Sequence, residues 1–290
     1  NTAVGKDALL VSTTGINNCG LGVNALEANT TGSNNTALGK QALALNTTAN
    51  DNVAVGHYAL SATTTGTDNV GVGASALTNN TTASYNTAVG NRALLVNTAQ
   101  LNTAVGSLCM YSNTTGTENT AVGQASLYTN STGNYNTAVG RYALRLNTTG
   151  TYNSALGWGA LHSNTTANSN TAIGNLTLYN NTTGANNTAV GYNALNDNTT
   201  ADDNTAVGYN ALAANTTGSG NVAVGRDALL VNVNGSTNTA VGRRALDANT
   251  SGSYNVAMGN SALDENTTGS SNTALGTQAL QMNTTGDNNT

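Results

Sequence analysis

Side chains able to do chemistry are few in this sequence, and they are dispersed. There are two histidines, His57 and His162, and two cysteines, Cys19 and Cys109. Acidic residues adjoin at Asp202–Asp203 and Asp264–Glu265. A general acid and base, a nucleophile with its base, or a metal cage would each need such groups at a recurring spacing. No H-x-x-x-H, C-x-x-C or G-x-S-x-G occurs, and each acidic pair occurs once. The reading is therefore a protein without a catalytic site, a cofactor site or a metal site. The acidic pairs are accounted for as solvated surface residues.

The elements that hold these residues are seventeen copies of one phrase, Asn-Thr-Ala-Val-Gly-x-x-Ala-Leu-x-x-Asn-Thr-Thr-Gly-x-x. Copies begin at Asn1, Asn18, Asn35 and so on to Asn272, spaced 17 residues apart. The one exception is the 16-residue step from Asn86 to Asn102. A short fixed period marks a solenoid, in which each unit packs only on its neighbours. Every charged residue and both histidines fall at repeat positions 6, 7, 10, 11, 16 or 17. The chain thus separates into a neutral repeated frame and a variable rim.

Positions 1 to 5 are too short and too rich in Thr and Val for a helix, and read as a strand. Position 4 is always aliphatic, so positions 2 and 4 are assigned to the core, with Leu at position 9 beside them. On this reading the core includes Val89, Leu94, Val105, Met110, Val122 and Leu127, and a second short strand centres on Ala8–Leu9. Position 3 then faces outward, yet it is always Ala or Gly. Water enforces no such limit, so Ala88, Ala104 and Ala121 are expected to line a self-association face; the alternative is that position 3 faces a second strand of its own coil, flattened and turned sharply at position 5. Gly90, Gly106 and Gly123, at the invariant position 5, are the expected corners, through positive φ or lack of room for a Cβ. Stacking sets each Asn above the last. Asn35, Asn52, Asn69, Asn86, Asn102 and Asn119 are therefore expected to form a ladder of amides, and position 12 a second one.

The expected fold is all-β: a parallel β-solenoid, or β-roll, of seventeen coils rising one strand spacing of ~4.8 Å each. Residues 1–290 form one repeat domain on this reading. Five coils separate Cys19 from Cys109, roughly 24 Å at that spacing, beyond the ~7 Å between Cα atoms that a disulfide spans. No basic patch is present, which argues against nucleic-acid binding, and no apolar run is long enough to span a membrane. Tyr111, Tyr128, Trp158, Tyr192 and Tyr209 lie on the rim as possible exposed ligand contacts. Position-12 asparagines also satisfy N-x-S/T, a pattern that turn and ladder chemistry produces without glycosylation.

The NTAVGxxALxxNTTG phrase resembles repeat tracts of bacterial and phage tail-fibre proteins. More distantly it is similar to the S-x-A-x-G-x-x-A repeat of trimeric autotransporter adhesin heads. The resemblance covers all seventeen copies. It implies a left-handed roll, a homotrimer of parallel chains, and an extracellular place on a cell surface or a virion tail fibre. The implied function is structural: a shaft or head segment of a fibre that attaches to a host-surface receptor or glycan. The chain opens on position 1 and closes two residues into another copy, and reads as a segment of a longer fibre protein. Two other classes are weighed. A polysaccharide-degrading tail spike needs clustered acids in a groove. An ice-binding solenoid needs a regular Thr lattice, which the Asn beside Thr13–Thr14-type pairs interrupts.

Overall fold

The computed structural model describes residues 1–290. It is all-β: seventeen three-residue strands, all parallel, in a β-solenoid with no helix. Two compact units are distinguished, Asn1–Thr149 and Gly150–Thr290. The first unit carries β1 (Thr2–Val4) through β9 (Thr137–Val139), and the second β10 (Ser154–Leu156) through β17 (Thr273–Leu275). Within each unit every strand pairs in parallel with the next, repeat position on repeat position. In β7 (Thr103–Val105) and β8 (Thr120–Val122), for example, Ala104 lies over Ala121. The 16-residue coil keeps this register, with Ala88 over Ala104, so the loss of one residue is absorbed outside the strand. No helix is long and apolar enough to cross a membrane.

Each strand faces the opposite way from the expected one. Ala88, Ala104 and Ala121 are fully buried, and Leu94, Met110 and Leu127 are buried with them. Val105 and Val122 are 36% and 37% exposed, and Val89 is half-buried. The assignment of Val89, Val105 and Val122 to the core is therefore wrong, and so is the placing of Ala88, Ala104 and Ala121 on an outer association face. The reason is the width of the coil. A Cβ added to Gly71, a position-3 residue, would lie 3.1 Å from Leu60 Cγ, already a tight contact. The interior admits an Ala opposite the Leu, and a larger side chain there would collide with it.

Position 9 does not form a second strand. Its residues are left-handed in every coil, with φ of 50° at Leu94, 46° at Met110 and 49° at Leu127. This conformation is unfavourable for a side chain with a Cβ, by ~1–2 kcal/mol. It turns the chain so that Leu enters the core, whose burial is worth ~1.5–3 kcal/mol. Position 5 is the sharper corner. Gly106 has φ 138°, and a Cβ there would lie 2.5 Å from Gly123 O in the coil above. Gly90 and Gly123, with φ 137° and 131°, meet the next coil in the same way. Both reasons for glycine, the positive φ and the missing room, hold at this one position.

Candidate functional site

Two columns of asparagine run through the interior and hold the coils to one another. The Oδ1 of Asn35, Asn52, Asn69, Asn86 and Asn102 each accepts the backbone N–H of the next asparagine at 3.0 Å. Asn119 Oδ1 continues the series to Asn136. The Nδ2 of Asn102 donates to Gly116 O at 2.8 Å. In the second column Asn113 Nδ2 donates to Asn97 Oδ1 at 2.8 Å and to the same Gly116 O at 2.9 Å. Two side-chain amides thus converge on one turn carbonyl in each such coil. All these asparagines are buried, and buried amides are tolerated because nearly every donor and acceptor is paired. Where position 12 is not Asn, the column is interrupted. Thr63 follows Asn46, and Asn46 Oδ1 has no hydrogen-bond partner. The Nδ2 atoms that a glycan would modify are buried and bonded in this column.

Aromatic residues gather into rows on the rim, because equal repeat positions stack. Tyr111 and Tyr128 are parallel, with ring centroids 5.2 Å apart, and Arg145 lies 5.9 Å from the Tyr128 ring. Arg145 and Arg141 also flank Tyr142, at 4.9 and 4.5 Å. In the second unit Tyr192 and Tyr209 stack at 5.4 Å, with Arg226 at 5.8 Å from Tyr209. Trp158 and His162 stack on Tyr179 at 6.4 and 4.7 Å. These rings turn their faces to each other, so a ligand alongside meets ring edges and hydroxyls. Tyr142, Arg145 and Tyr179 join the rows although the sequence reading did not name them, and His162 joins them as a ring rather than as a catalytic group. Tyr128 and Arg145, like His162 and Tyr179, hold repeat position 10 in successive coils, and that signal was present.

The remaining chemistry-bearing groups are separate. His57 belongs to the first unit and His162 to the second. No three His, Cys, Asp or Glu side chains come together as a metal-holding group. Arg244 donates to Asp247 at 2.9 Å and lies 3.4 Å from the buried Asp264. Desolvation raises the Asp247 carboxyl above its ordinary value, against the opposing pull of Arg244. Cys19 and Cys109 are free thiols. Cys109 is buried, donates to Ala121 O at 3.3 Å, and has its pKa pushed up to about 12 by desolvation. No protein-family model matches the chain, and no curated protein matches it.

The outward surface of the strands is the other regular feature. Thr or Val mostly holds position 2 and an aliphatic residue position 4, on parallel strands that carry no charged side chain. Leu156, Ile173 and Met258 are 49%, 40% and 43% exposed there.

Proposed function

We propose that this chain is a structural segment, shaft or head, of an extracellular fibre on a phage tail or bacterial surface, and that it serves attachment. The observation that supports this reading is the buried asparagine frame. It repeats coil after coil, while every charged and aromatic residue holds a variable repeat position outside that frame. Such a frame makes each coil depend on its neighbours and gives a stiff, extensible element. In this reading the protein is not an enzyme, and rim residues contact a host-surface receptor or glycan. The chains associate in parallel as a homotrimer, as the resemblance implies. Their contact surface is the uncharged Thr-x-Val sheet, since the alanines are inside the coil. Antibody raised against the repeats, with gold labelling of whole cultures and phage preparations, tests this reading. Label along external filaments or tail fibres is the expected result; label confined to the cell interior contradicts it.

An ice-binding solenoid is a second reading, favoured by one observation. The Thr-x-Val strands stack in strict register, and their Thr residues repeat coil by coil, away from the Asn-Thr-Thr turn. Thermal hysteresis by a monomer would favour this reading over the first, because an associated face cannot meet ice.

A further inference from the structure

The short coil opens a site that regular coils close. In the first unit, the N–H groups of positions 13 and 14 aim at one atom of the next coil. Thr30 and Thr31 donate to Thr47 O at 2.9 and 3.2 Å, and Thr64 and Thr65 to Thr81 O at 2.9 and 3.4 Å. Past the short coil, Thr114, Thr115 and Gly116 converge on Ser131 O at 3.0, 3.0 and 3.3 Å. Successive N–H groups arranged in this way form a nest that holds an oxygen atom. Thr81 and Thr82 N–H make no such bond. The next coil lacks one residue, Thr98 being followed at once by Ala99. The position-12 ladder breaks at the same step: Asn97 Nδ2 turns to Ala99 O at 2.6 Å, and Asn80 Oδ1 is buried without a hydrogen-bond partner. An open cleft of about 360 Å³ lies here, lined by Thr82, Ala83, Thr98, Gln100, Thr115 and Thr117 among others.

Cleft size and chemistry narrow the ligand. The volume lies within the ~300–1,000 Å³ range of small-molecule sites. None of the lining side chains is charged, so an anion would gain no counter-charge. The atom that fills the nest in the other coils is a neutral amide carbonyl. We propose that this cleft binds a neutral N-acetylated sugar. The acetamide carbonyl accepts from the N–H of Thr82, which lines the cleft beside Thr81, and ring hydroxyls meet the side chains of Gln100 and Thr115. The proposal does not depend on the fibre reading; a chain that is no fibre segment would keep the cleft.

Saturation-transfer NMR of the 290-residue chain with N-acetylglucosamine, glucose and acetate, each alone, tests it. The expected result is transfer to N-acetylglucosamine, strongest at the acetamide methyl, and little to the other two. Insertion of one Thr between Thr98 and Ala99 restores a 17-residue coil and should abolish the signal. Gln100→Ala and Thr115→Val change side chains at the cleft without altering coil length, and should each reduce the signal several-fold. They carry the test should the insertion not fold. No transfer to the wild type, equal transfer to glucose or acetate, or an unchanged signal in the insertion variant or in both substitutions overturns the proposal.

Discussion

Asn102 shows what a single residue carries. Its Oδ1 accepts from Asn119 N at 3.0 Å and its Nδ2 donates to Gly116 O at 2.8 Å. Asn102→Ala removes both and leaves a buried N–H unpaired, at ~1–3 kcal/mol for each such group. The expected outcome is a loss of about 3 kcal/mol by denaturant unfolding, several times that of Thr114→Ala, whose side chain lies at the exposed edge of the turn. Equal losses would show that the ladder holds nothing together. Cys109 gives a second test. Burial raises its pKa to about 12 from 9.0, so the folded state keeps the thiol neutral after the unfolded chain has ionised. That contribution is complete below pH 9.0 and is lost as pH rises toward about 12. Relative to Cys109→Ala, the wild type should lose stability across that window. In native protein a thiol reagent should label half-buried Cys19 and spare Cys109; equal labelling rates contradict this account of its burial.

At the scale of the strand, the period, the register and the glycine corner were legible in the sequence, and the facing of the strand was not. A Thr-Ala-Val strand has two phases, and hydrophobicity alone favours putting Val105 inside. The deciding quantity was the space opposite Leu, visible in the sequence only as the strict limit to Ala or Gly at position 3. That limit records a narrow interior, and the aliphatic run at position 4 records an outer face. The left-handed leucines were hidden for a different reason: φ at Leu94 or Met110 is imposed by the turn, while Leu carries no preference for it. The cleft was legible only in part. The deletion stood in the sequence, but the two donors it leaves open follow from hydrogen bonds between coils. The corrected facing makes a paired prediction. Ala104→Val overfills the interior and should cost ~1–3 kcal/mol or more. Val105→Thr, on the sheet surface, should stay within ~0.5 kcal/mol for an isolated chain. Thermal unfolding of both variants in dilute solution checks this, and the reverse order would restore valine to the core.

For the whole molecule, the account comes down to which surface remains after the coil has closed on its own alanines and leucines. A charge-free sheet edged by a variable polar rim suits association of parallel chains, since an identical solenoid repeats with the same period along its length. Replacing Val105, Val122 and Val139 together with Glu should separate the chains while leaving each folded, because all three side chains lie outside the coil. The direct test is sedimentation of the native chain beside this variant, with far-UV circular dichroism on both. The account predicts three times the 29.0 kDa chain mass for the native protein. For the variant it predicts a single chain mass and an unchanged spectrum. A native protein that sediments as one chain, or a variant that loses its β-structure, would contradict it.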